Sequence, residues 1–301
     1  MEGIFTNHRS VLTNSYHQPV LLEDALTLLN IQEGKWYVDA TLGGGSYTEE
    51  LFKRGAKVLS IDLDKEAISF TQNKISVTEN WIVVQDNFKN LKEIVLQKSL
   101  EIYGVVFDLG VSLHQLKSPG RGFSFNHNAP LDMRMNQDQE TTALNLINSE
   151  TKEKLYEIFT KYGEEKRAWA LADAIFRARS VRKITTTLEL VALVETVIGK
   201  SRNGKNSATR VFQALRIYVN DELDNLKLGL TEAVKVLSST GRLVVVSYHS
   251  LEDRIVKLAI QNNVKEGILK TVTHKPIVPT KGEVARNPAA RSAKLRAAEK
   301  I

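Results

Sequence analysis

Apolar residues along this chain recur with two different periods. Short runs of β-branched and aromatic residues occur at Trp36–Val38, in a segment ending at Asp62, at Trp81–Gln85 and at Tyr103–Gly110, and they predict strands. Between them, apolar positions recur at helical spacing up to about Lys53, over Lys65–Lys74 and over Leu91–Gln97. Ahead of the first run, His17–Ile31 places Leu22, Leu26 and Leu29 on one face, as a helix covering a sheet would. Strands alternating with helices predict an α/β fold with a parallel, doubly wound, Rossmann-like sheet.

The alternation stops after the fourth run. Residues from Val111 to about Asn136 are loop-like, and helical periodicity then dominates, with a break near Gly163. A further helix over Ala208–Leu237 leads to the strand Gly241–Ser250, a helix Leu251–Gln261 and a last apolar segment at Ile268–Val272. The expected organisation is a discontinuous sheet domain, residues 1–112 and 208–301, interrupted by a helical insertion over 113–207.

Composition narrows the class. The chain has 301 residues, 42% of them hydrophobic, and no cysteine. A sizeable core is affordable, while disulfides, thiolate zinc sites and cysteine nucleophiles are excluded. The six histidines lack metal-ligand spacing, so no metal is expected. No apolar run approaches the ~20 residues that span a bilayer, and the opening residues lack the apolar core of a leader, so no membrane association and a cytoplasmic location are expected. The net charge of +6 is concentrated: Lys270–Ile301 holds eight Lys/Arg against two Glu, and the preceding residues balance. Either this is a surface for a polyanion or ARSAKLRAAEK is a solvated basic helix.

Chemistry enters at Trp36–Ala67, which reads strand, glycine cluster (Gly43, Gly44, Gly45), helix, strand, acid (Asp62). Glycines between strand and helix permit a tight turn and close approach of a ligand, and an acid about 20 residues on is placed to accept ribose hydroxyls. The dinucleotide pattern GxGxxG fits poorly, because Thr48 holds its third glycine position. Asp39, ahead of the loop, opposes a pyrophosphate but favours a cation. S-adenosylmethionine carries a sulfonium and an ammonium, and Asp39, with Asp108 after the fourth strand, suits it. The alternative is a glycine turn in some other α/β protein.

Further candidates follow the other strands. Phe88 can pack on adenine or belong to the core. Asp108 faces both cofactor and nucleophile, or caps a helix, and Gln115 is close enough to reach the same crevice. In SYHSLEDR, His249 or Ser250 caps the next helix, or else Tyr248, Phe123 or Phe125 stacks on a flipped base while His249 or Asp108 contacts its edge. Arg121 and Arg134, with Arg177, Arg179, Arg182 and Lys183, are candidate phosphate contacts or surface charges.

Ordered along the chain, HQPVLLEDAL, VDATLGGGSYT, SIDLDKEAI, FDLGVSLHQL, RGFSF, PLDMRM, YGEEKRAWALADAI, ATRVFQALRIYVNDEL, SYHSLEDRIVK and NPAARSAKLRAAEK resemble the bacterial ribosomal RNA small-subunit methyltransferase H family, the cytidine N4-methyltransferases of 16S rRNA. The resemblance implies methyl transfer from S-adenosylmethionine to a cytidine N4 in the decoding region, with 16S rRNA of the small ribosomal subunit or its precursor as partner and a helical insertion that helps bind RNA. Carried onto this chain, cofactor contacts fall at Gly45, Ser46, Tyr47, Asp62, Phe88, Asp108 and Gln115, to which the loop pattern adds Gly43. One departure stands out: the family's loop usually reads GxGGH, and Ser46 and Tyr47 replace its last two residues. Two other readings follow, a methyltransferase of another nucleic acid and a non-catalytic RNA-binding assembly factor with a degenerate loop. A homodimer stays open.

Overall fold

The computed structural model describes residues 19–76, 78–200 and 207–301. His17 and Gln18, in the first expected helix, lie outside them. The segments that alternate apolar residues with period two become strands whose successive side chains face opposite sides. Strands β1 (Trp36–Asp39), β2 (Lys57–Asp62), β3 (Trp81–Gln85), β4 (Ile102–Asp108), β5 (Leu237–Ser247), β6 (Leu269–Thr271) and β7 (Lys294–Lys300) form a seven-stranded sheet in the order β3-β2-β1-β4-β5-β7-β6. The first five are parallel neighbours, and β7 runs antiparallel to both β5 and β6.

Both faces are covered. On one, Val38, Leu59, Ile61, Val105, Phe107, Leu243 and Val245 pack against α4 (Leu91–Gln97), α11 (Glu222–Val236) and α12 (Ser250–Lys265). On the other, Tyr37, Val58, Val106, Val244 and Val246 meet α1 (Leu22–Leu29) and α2 (Ser46–Lys53). The helix α3 (Lys65–Lys74) follows β2.

The short α5 (Leu113–Lys117) opens the interruption, and α6 (Ala143–Ser149), α7 (Lys152–Lys161), α8 (Ala168–Val181), α9 (Thr187–Ile198) and α10 (Thr209–Val219) continue it. Leu131, Met133, Leu146, Ile158, Phe159, Leu171, Ile175 and Leu190 form a second buried core there, which Val211, Phe212, Ala214, Leu215 and Val219 of α10 join. A boundary at 208 therefore cuts through the helical core, and the packing places α10 with the insertion. The helix expected over Ala208–Leu237 is two helices, because the chain turns at Asn220–Asp221, where Asp221 has φ 49°. A small helix, α13 (Lys281–Arg286), precedes a 3₁₀ turn at Pro288–Ser292 and then β7.

That last strand corrects the reading of ARSAKLRAAEK as a basic helix. Leu295, Ala297 and Ala298 are buried in the sheet, Lys294 and Arg296 pair with Asp253 at 2.8 and 2.7 Å, and Lys270 pairs with Glu299 at 2.5 Å. The charges of Lys270, Lys294 and Arg296 are thus matched within the fold, while Lys275, Lys281, Arg286 and Arg291 are exposed. Among the described residues, no helix is long and apolar enough to cross a membrane.

Candidate active site

The carboxyl ends of the parallel strands open into one crevice. The glycine loop forms its first wall. Gly43 and Gly45 have φ of 48° and 75°, a left-handed turn that brings Gly43, Gly44, Ser46 and Tyr47 onto the crevice. Gly45 itself does not line it: a Cβ there would collide with Thr71 of α3, so this glycine serves close packing between α2 and α3. Tyr47 is buried on α2, and its ring closes the crevice wall from the core side.

Asp62 ends β2 on the crevice, where its carboxylate accepts the N–H groups of Gly43 and Asp64, each at 2.8 Å. Burial lifts its carboxyl to about 6 against these two bonds. Asp39 is placed differently from the sequence expectation. It is fully buried behind the loop, accepts from the Thr41 N–H at 3.3 Å and the Thr48 hydroxyl at 2.8 Å, and does not line the crevice. It braces the turn instead of facing a cation. Burial lifts its carboxyl to about 6.

Phe88 stands on the opposite wall, edge-on to Phe107 with ring centroids 5.4 Å apart. A Cβ on Gly229 of α11 would lie 2.5 Å from Phe88 Cδ2, so the helix must carry glycine where this ring rests. Gln115 closes the rim. Its Oε1 accepts the Ser112 N–H at 3.0 Å, and its Nε2 donates to Asp64 at 2.8 Å.

Asp108, at the end of β4, also lines the crevice. Burial pushes it up to about 7, the charge of Glu252 adds to this, and a 2.7 Å bond donated by the Tyr248 hydroxyl opposes it. Its backbone N–H donates to Thr41 Oγ1 at 2.8 Å, which ties the end of β4 to the loop after β1. The far end of the crevice is built by Met135, Asn220, Glu222, Asn225, Leu226 and Glu252, from the α10–α11 corner and α12.

Residues 14–301 match the model of a family described as the MraW methylase family. The chain belongs to that family. It is 42% identical over 304 residues to the "Ribosomal RNA small subunit methyltransferase H" of Carboxydothermus hydrogenoformans, with 95% of this chain and 98% of that protein covered. The protein of the same description from Halothermothrix orenii is 41% identical over 307 residues, covering 95% and 98%. That from Coprothermobacter proteolyticus is 42% identical over 287 residues, covering 94% and 96%.

In this MraW methylase, the crevice gathers seven of the eight residues expected to hold a cofactor: Gly43, Ser46, Tyr47, Asp62, Phe88, Asp108 and Gln115. It gathers none of the expected base and phosphate contacts other than Asp108. Arg121 is buried, and its guanidinium donates to Asp64, Glu66 and the carbonyls of Arg134 and Met135. Phe123 and Phe125 pack in the helical core, Phe125 edge-on to Phe212. Arg134 is taken up by Asp132 and the carbonyls of Gln137 and Gln139. Tyr248 lies beneath Asp108, and His249 caps α12, its Nδ1 accepting the Glu252 N–H at 3.3 Å.

The acidic end of the crevice was not found from sequence. Its signal was the Asn-Asp pair within IYVNDEL, a turn signature inside an otherwise helical run. Ligand atoms of Glu222, His249 and Glu252 lie within 4.8 Å of one another, the spacing of a metal site. Their chemistry points elsewhere. Arg216 holds both oxygens of Glu222 at 2.9 and 3.1 Å, and His249 Nδ1 accepts the Glu252 N–H at 3.3 Å as the cap of α12.

Proposed function

We propose that this chain transfers a methyl group from S-adenosylmethionine to N4 of a cytidine in the decoding region of 16S rRNA, within the small ribosomal subunit or its precursor. The observation that carries this reading is a single crevice in which an acid-ended glycine loop and a second, perturbed acid, Asp108, meet. The residues suit the cofactor. Asp62 offers acceptors for ribose hydroxyls, while Leu63, Ala67, Phe88 and Leu109 supply apolar walls for a flat base. Asp108 and Glu252 line the other end with carboxyls, as suits a cationic ligand. Ser46 and Tyr47 are compatible with the turn, since Gly43 and Gly45 carry its left-handed positions.

Bound S-adenosylmethionine supplies an electrophilic methyl group on a positively charged sulfur. The protein's task is the nucleophile. A cytosine amino nitrogen is weak because its lone pair is delocalised into the ring. Asp108, ionised above about pH 7, accepts an amino hydrogen, favours a pyramidal nitrogen and holds it in line with the methyl carbon. When a methyl group is transferred to the amine, the proton that the nitrogen must lose would pass to the Asp108 carboxylate, which lines the crevice. The helical insertion, joined to the crevice through Met135 and Asn220, is the proposed RNA-holding part.

The test is transfer of labelled methyl from S-adenosylmethionine to small subunits lacking the modification, followed by digestion and mass spectrometry of the nucleosides. N4-methylated cytidine from the decoding region supports the reading. Folded protein that transfers no label, or labels another nucleoside, overturns it.

A further inference from the structure

We propose that Tyr248 is a positioning residue for methyl transfer: its hydroxyl aims and tunes the Asp108 carboxylate from beneath the crevice. This rests on the reading of Asp108 given above. The Tyr248 hydroxyl donates to Asp108 Oδ1 at 2.7 Å, while Tyr248 itself does not line the crevice. Its position is fixed at both ends. The backbone N–H of Tyr248 donates to Glu252 Oε2 at 2.7 Å, Glu252 also accepts the His249 N–H at 3.3 Å, and Gly110 packs over the ring, where a Cβ would stand 3.6 Å from Cδ2. His249 caps α12, so the turn carrying Tyr248 is locked to the start of that helix.

Acids and phenols crowd Asp108 from four elements. Glu252 approaches from α12, Tyr248 from the loop after β5, Asp39 from β1 and Tyr47 from α2. The charge of Glu252 disfavours an ionised Asp108, and the hydrogen bond donated by the Tyr248 hydroxyl favours it. A phenol whose own ionisation is pushed well above the usual range by burial and by Asp108 stays protonated as that donor. The bond therefore keeps Asp108 ionised closer to neutral pH and holds one oxygen in place while the carboxylate contacts the amine.

The experiment compares wild type with Tyr248→Phe. For the variant, kcat at neutral pH falls about tenfold, the acid limb of its pH profile moves up by about one unit, and affinity for S-adenosylmethionine stays within about threefold. Replacing Tyr248 site-specifically by a difluorotyrosine, which preserves shape and makes the hydroxyl a stronger donor, moves the limb the opposite way. This second replacement decides the matter if Tyr248→Phe fails to fold. An unchanged limb in both replacements overturns the proposal. Carbon-13 titration of the Asp108 carboxyl in the same proteins reads the coupling without turnover, so a wild type that transfers no methyl overturns the function while this link is still judged.

Discussion

Asp108 and Asp39 are carboxyls one strand apart, both raised by burial, with different consequences. Asp108 lines the crevice and Asp39 does not. Asp108→Asn keeps the shape but cannot accept an amino hydrogen through two oxygens or take its proton. Its kcat is expected to fall at least about 100-fold with S-adenosylmethionine affinity nearly unchanged. Full turnover with normal binding would show the carboxylate to be dispensable. Asp39 reports on stability instead. Its carboxyl is raised from 3.8 to about 6, so its favourable contribution is complete below about pH 3.8 and is lost as pH rises through about 6. Two units correspond to about 3 kcal/mol. Urea unfolding of wild type and Asp39→Asn at pH 4 and pH 7 should show the difference in stability moving by roughly this amount in favour of the variant at the higher pH, and parallel stabilities at the two pH values would count against it.

At the level of elements, β7 changes the meaning of the chain's end. Its alternating residues put Leu295 and Ala297 on one face and Arg296 on the other, with Arg296 and Lys294 neutralised by Asp253 on α12. A solvated helix would tolerate Leu295→Ala within about 0.5 kcal/mol. Leu295 is 0% exposed between Val246 of β5 and Ile277, so the cost expected from a urea titration is about 2–5 kcal/mol. A loss below 1 kcal/mol would contradict that packing. The α10–α11 corner acts through a turn: Asp221 in the left-handed region redirects the chain so that Asn220, Glu222 and Asn225 all reach the crevice.

For the whole molecule, the decisive joint is between the sheet and the loop that enters the helical insertion. Arg121 spans it, bonded to Asp64 and Glu66 at the start of α3 and to the carbonyls of Arg134 and Met135. Breaking a buried ion pair by removing one partner typically costs about 3–5 kcal/mol. Arg121→Ala should lose about that much in thermal or urea unfolding and weaken S-adenosylmethionine binding, because Met135 on the crevice wall is released with the loop. Wild-type stability would mean that the joint is held by apolar packing alone.

The strands β1 to β4, the glycine loop and Asp62 were legible in the sequence because their signals are local: period-two apolar runs, glycines at a turn, and an acid at a strand end. Their places after strands, and then the resemblance, pointed to Phe88, Asp108 and Gln115, and the structure sets them on the same crevice. What only tertiary structure decided was where each charge and ring is used. Arg121, Phe123, Phe125 and Arg134 look like RNA contacts in one dimension, but in the fold Arg121 and Phe123 are buried, Phe125 packs against the helical core and Arg134 is paired with Asp132. The basic tail looks like a helix until β5 and β6 provide hydrogen-bonding edges on both sides of it. Asn220, Glu222, Asn225 and Glu252 reach the site from more than 100 residues beyond Asp108, and no local pattern encodes a contact made by folding back over such a separation.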